Sequence, residues 1–157
     1  MTGMNRMPRL LFAAMVLILS FTLMGSNVYQ EDVHIHELEA KLRGSAEVPG
    51  PGDLDGKGEA KITLKMEDHQ VCWEIKVKKI TLPARAAHIH FGSKSVAGPV
   101  VVTLSAPNAE GISSGCTMVD HELHMNLHMH PEQYYVNVHN ADFPGGALRG
   151  QLTLEDD

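Results

Sequence analysis

The sequence predicts an all-β domain, a single antiparallel β-sandwich or barrel with one short helix. Three observations predict it. From residue 37 onward, short runs alternate between apolar and polar residues, as half-buried strands do. Gly and Pro punctuate those runs at short intervals, and only one later stretch, residues 121–130, reads as a helix. At 157 residues the chain suits one core.

Leu38, Ala40 and Leu42 alternate with charges and open the domain; a Pro/Gly/Asp loop follows over 44–56. Ala60, Ile62 and Leu64 then face one way while Lys61, Thr63 and Lys65 face the other. After a turn at Glu67-Asp68-His69, Val71, Trp73, Ile75 and Val77 repeat the pattern, so the two runs form an antiparallel hairpin with Trp73 in the core. Past Leu82-Pro83, residues 86–91 make a strand and 92–98 a polar loop. The nearly all-apolar run 99–104 reads as a central strand. Residues 105–115 read as a loop with a turn at Ser113-Ser114-Gly115. Asp120 is placed to cap a helix over 121–130 that stops at Pro131. Residues 134–139 form a strand, 142–146 a turn and 147–154 a closing strand.

The N-terminus bears on compartment. Arg6 and Arg9 precede an uncharged run from Leu10 to Met24, which is the layout of an export signal over 1–26. An uncleaved anchor is the rival reading and the only route by which this sequence would attach to a membrane; the run is shorter than the ~20 apolar residues of a usual span. Residues 27–37 are expected to be a flexible arm carrying His34 and His36, and 38–157 the β domain. The expected location is therefore periplasmic or extracellular. Cys72 and Cys116 are the two cysteines; in an oxidising compartment they invite a disulfide, and two buried thiols are the alternative.

A net charge of −6 provides no basic surface for a phosphate backbone, which sets nucleic acid aside as a partner. The unusual component is histidine: ten residues, beside nine Met. In His88-Ile89-His90 the strand period sends both imidazoles to one face and Ile89 to the other. Two imidazoles so spaced can converge on one ion. His139, at the end of Val136-Asn137-Val138-His139, supplies a third from another strand. Asn137 shares its face and is a candidate to orient a ligand, and Arg149 follows close by. If 121–130 is helical, His121, His124, Met125 and His128 fall on one stripe. His124, His128 and Met125 then form a second candidate ligand set, whose thioether suits Cu(I) as imidazole suits Cu(II). His69, in a turn, reads as plain surface. No catalytic motif stands out: nucleophile elbow, P-loop, dinucleotide fingerprint and H-E-x-x-H are all missing.

Four segments in order, residues 87–92 (Ala-His-Ile-His-Phe-Gly), 98–101 (Gly-Pro-Val-Val), 134–139 (Tyr-Tyr-Val-Asn-Val-His) and 143–152 (Phe-Pro-Gly-Gly-Ala-Leu-Arg-Gly-Gln-Leu), resemble the chordin-type (CHRD) domain. Leu42 to Pro49 is similar to the start of that domain, so the likeness runs from about residue 39 to 154. It implies an immunoglobulin-like sandwich or barrel of the kind found in secreted bacterial proteins and in chordin. More distantly, His88 to Gly92 is similar to the copper-ligand strand of Cu/Zn superoxide dismutases. His139, followed by Asp142, Gly145, Gly146 and Arg149, resembles their later ligand and active-site arginine. That likeness implies a superoxide-dismutase-like sandwich with His88, His90 and His139 as copper ligands and Arg149 near an open position. The bridging-histidine and zinc loop has no counterpart.

Three function classes fit. The first is an exported metal-binding protein for copper storage, delivery or protection, with copper as Cu(I)/Cu(II) the favoured cofactor and zinc the alternative. The second is an adhesion or protein-interaction module without metal, and the third an enzyme of superoxide-dismutase type. A homo-oligomer is compatible with each.

Overall fold

The computed structural model describes residues 35–154. The segment read as an export signal, residues 1–26, and His34 lie outside the described residues. Nine strands form one antiparallel sheet: β1 (Ile35–Arg43), β2 (Lys57–Lys65), β3 (Gln70–Lys78), β4 (Ala86–Phe91), β5 (Val100–Leu104), β6 (Ile112–Met118), β7 (Tyr134–His139), β8 (Leu148–Gln151) and β9 (Thr153–Leu154). Their order is β5-β4-β7-β8-β1-β2-β3-β6, with β9 also on β1. The sheet curls into a nearly closed barrel. Its two ends approach where Ser105, just past β5, meets Ser113 of β6: the hydroxyls lie 2.9 Å apart, and the Ser113 hydroxyl lies 2.6 Å from the Ser105 carbonyl.

The alternation read from the sequence is what fills the barrel. Leu38 pairs with Ile62 and Ile62 with Trp73; Ala40 pairs with Ala60 and Ala60 with Ile75. All six are buried. Complete burial of a Leu or Ile side chain contributes about 1.5–3 kcal/mol, and a one-residue slip would turn every one of them outward. Ala87 and Ile89 of β4, with Val136 and Val138 of β7, close the core on the side that carries the histidines. On the outer face Cys72 and Cys116, directly paired across β3 and β6, form a disulfide with a Cα separation of 4.0 Å. Closing a loop of 44 residues stabilises the fold by about 4 kcal/mol on the chain-entropy account.

The helix forms where its cap predicts. α1 spans His121–Met129, and the Asp120 side chain accepts from the Leu123 amide at 2.8 Å. Four local expectations are corrected. β1 begins at Ile35, so residues 35–37, His36 among them, are strand and not arm. The apolar run 100–104 lies at one end of the sheet order, not at its centre; Val100 is exposed because the barrel stops there. Residues 112–115, expected as loop and turn, are instead the first part of strand β6. Ser113 and Gly115 hide the strand signal because both accommodate one indole: Trp73 Nε1 donates to Ser113 Oγ at 3.1 Å, and a Cβ at Gly115 would collide with the Trp73 ring. The closing strand is broken between Gln151 and Thr153. Among the described residues no helix is long and apolar enough to cross a membrane.

Candidate metal centre

β4 and β7 are neighbours, with Ala86 opposite His139, His88 opposite Asn137 and His90 opposite Tyr135. Because alternate residues share a face, His88, His90, Tyr135, Asn137 and His139 all stand on the outer surface of this strand pair, above the core made by Ala87, Ile89, Val136 and Val138. The nitrogens of His88, His90 and His139 lie within 4.8 Å of one another, and His88 Nδ1 is 3.3 Å from His139 Nε2. Two ligands about 2.0–2.1 Å from one ion at a tetrahedral angle sit about 3.3–3.4 Å apart. The His88–His139 spacing is that of a ligand pair.

Backbone carbonyls orient two of the rings. His90 Nδ1 lies 2.9 Å from Gly98 O, and His139 Nδ1 lies 3.1 Å from Pro144 O. A carbonyl only accepts, so each Nδ1 carries the proton and each Nε2 keeps a lone pair. His90 Nε2 is buried and has no hydrogen-bond partner, an arrangement that costs stability unless an electrophile uses the lone pair. The chemistry of this donor set fits a borderline first-row ion such as copper or zinc. Burial holds the pKa of all three imidazoles below the ordinary value. For His88 the neighbours His139 and His90 add to the depression; for His90 and His139 the carbonyl bonds oppose it in part, while Arg149 and His90 respectively reinforce it. The neutral, ligating form is therefore favoured. His88 and His139 also line an open cleft of about 460 Å³ with Arg85, Asn140 and Pro144, which gives an ion and a further ligand access.

The two supporting residues read from the sequence lie beside the cluster but act on other groups. Asn137 gives its amide to Glu47, at 3.0 and 2.9 Å from the two carboxylate oxygens, and not to an imidazole. Arg149 is only 2% exposed and does not line the cleft. Its guanidinium lies 3.5 Å from the Tyr135 ring centre and donates to Ser93 O at 2.8 Å. Tyr135 in turn stacks against His90, with centroids 4.8 Å apart and planes within 8°. Arg149 thus supports the platform under His90.

Glu47 is the group that the sequence did not reveal. It is 7% exposed, and burial pushes its pKa up to about 7, against the lowering pull of Asn137 and Arg149. A Cβ at Gly146 would overlap its carboxylate, so the Gly145-Gly146 turn leaves room for it. A lone acid in a Pro/Gly loop has no periodicity to mark it.

The helical set is assembled differently. His124 is fully buried beside Leu127, while His128 and Met125 are half-buried. His69, expected as plain surface, instead meets α1: its Nε2 is 3.0 Å from His121 Nδ1. His128 packs on His36 of β1 with ring centroids 4.0 Å apart.

A family model for the CHRD domain matches residues 38–152. No curated protein matches the sequence.

Proposed function

The chain belongs to the CHRD domain family, and from that premise we propose that it is an exported metal-binding module whose strand histidines His88, His90 and His139 hold one copper ion, with zinc as the alternative occupant. The observation that carries this reading is the converging set of nitrogens, two of them fixed as lone-pair donors by the Gly98 and Pro144 carbonyls. When bound, the ion would supply Lewis acidity and, for copper, a one-electron couple. The protein's own residues hold neutral imidazoles in place and keep one side open. Export agrees with the N-terminal segment and with the Cys72–Cys116 disulfide, which persists in oxidising compartments.

Storage, delivery or protection is preferred to superoxide dismutation because Arg149, the guanidinium that the superoxide-dismutase likeness would set beside the ion, is buried against Tyr135 and Ser93 O; the guanidinium that does line the cleft belongs to the exposed Arg85. The test is metal analysis of tag-free protein, then titration with Cu(I), Cu(II) and Zn(II) on wild type and on His88→Ala/His139→Ala. Wild type is expected to bind with a site that the double variant lacks. Undiminished stoichiometry in the variant would overturn the reading, and so would a wild type that takes up no metal, which would leave an adhesion module. Superoxide turnover by the copper-loaded protein would convert the carrier into an enzyme.

A further inference from the structure

Three separate elements bring five imidazoles to the other end of the barrel. His36 lies on β1 near its start, His69 in the β2–β3 turn, and His121, His124 and His128 on α1. The strand register places this end away from His139: β1 runs from His36 toward Arg43, Arg43 pairs with Arg149, and Arg149 pairs with Asn137 on the His139 side of β7.

His124 is the centre of this group. It is 0% exposed, and neither ring nitrogen makes a hydrogen bond of normal geometry, although the Gln70 backbone is close enough to interact with the ring. One Nδ1, that of His128, is likewise buried and unpartnered. A buried polar atom without a partner costs about 1–3 kcal/mol, and a helix position next to Leu127 could hold an apolar residue at no such cost. Around His124 stand His69, with a centroid 5.7 Å away, and His121, whose Nδ1 is 3.0 Å from His69 Nε2. That N···N distance is a hydrogen bond between the two rings, a few tenths of an ångström short of the tetrahedral ligand spacing of about 3.3–3.4 Å, so an ion would replace the shared proton and spread the pair slightly. Those two rings sit edge to face, at 66°. His36 and His128 form a second contact pair on the same helix.

We propose that His69, His121 and His124 form a second metal site, with His128 as the adjacent imidazole, and that it takes a borderline divalent transition ion, Zn(II) or Cu(II). The donors are imidazoles from two elements joined only through the fold, so the ion would tie α1 to the β2–β3 turn. Among the described residues only the strand trio already converges as a ligand set, so exposed His121 would have to rotate to close on the buried ring. The site is independent of the strand centre: it shares no residue with it.

Zn(II) titration of the tag-free protein tests the proposal, read as bound equivalents after gel filtration and as shifts of the histidine imidazole resonances. His124 is buried, so the variant chosen is His69→Asn/His121→Gln. Asn tolerates the left-handed φ of 49° at position 69, and His121 is exposed. Wild type is expected to take up two equivalents, His88→Ala/His139→Ala one, with shifts at His124 and His69, and His69→Asn/His121→Gln one, with shifts at His88 and His139. A His69→Asn/His121→Gln protein with the same stoichiometry and affinities as wild type overturns the second site, as does a His88→Ala/His139→Ala protein that binds no zinc. A wild type that binds a single equivalent, lost only in His69→Asn/His121→Gln, supports the second site while removing the strand centre.

Discussion

The two histidine groups of this barrel are built on opposite principles. On β4 and β7 the rings are positioned by a rigid, hydrogen-bonded sheet, and Gly98 O and Pro144 O fix which nitrogen of His90 and His139 bears the proton. At the α1 end the rings touch chiefly one another, and the buried His124 makes only a poorly formed contact with the Gln70 backbone, in place of the well-formed carbonyl bonds of His90 and His139. The first arrangement is preorganised: little side-chain freedom remains to be lost when an ion arrives. The second would have to be ordered by its ion. On this account affinity should follow the partners of the non-ligating nitrogens more than the histidine count.

The largest difference should appear on removal of two strand ligands. His88→Ala/His139→Ala should weaken binding at the β4–β7 centre by roughly a thousandfold or more, since a structural site of four ligands is worth about 10–16 kcal/mol in all; competition titration against a chelator measures it. Equal loss of affinity at the α1 end would break the comparison. Next, Gly98→Ala places a Cβ onto the Phe91 carbonyl and must displace the strand-to-loop segment that holds the His90 tautomer. A loss of about 10–100-fold at the strand centre is expected, the usual cost of a lost outer partner, with the α1 group unchanged.

A pH titration sharpens the contrast further. The folded pKa values of His88, His90, His139 and His124 lie below the ordinary value of 6.5. The unfolded chain therefore binds protons first as pH falls, and the stability that these groups contribute is fully present above about pH 6.5 and lost below it, through the window down to their folded pKa values. Denaturant unfolding of the metal-free protein at pH 7.5 and 5.5 should show a lower midpoint at 5.5, and metal affinity should fall over the same range. The smallest effect belongs to the cap. Asp120→Ala should cost about 1 kcal/mol of stability and loosen α1, weakening zinc binding at His124 while leaving the strand centre untouched.

How much of this was legible in the sequence follows from physics. His88-Ile89-His90 could be read because the strand period of two forces the ring pair outward and Ile89 inward, and Ile89 is fully buried. The helix could be read because Asp120 and Pro131 bracket it. β6 could not, since its Ser113 and Gly115 fit the Trp73 indole but carry little β propensity. Nor could the central run 99–104 be told from an edge, because apolar content reports burial and not strand order. His69 and Glu47 gain their surroundings only through long-range contacts with α1 and with Asn137, and no local pattern encodes those.

The central claim is that imidazoles from β4 and β7 share one ion. Electron paramagnetic resonance of the protein loaded with one equivalent of Cu(II), with and without ¹⁵N-labelled histidine, addresses it directly. The account predicts coupling to several imidazole nitrogens in wild type, and its replacement by a different, weaker-bound species in His88→Ala/His139→Ala. An identical spectrum from the two proteins would contradict it.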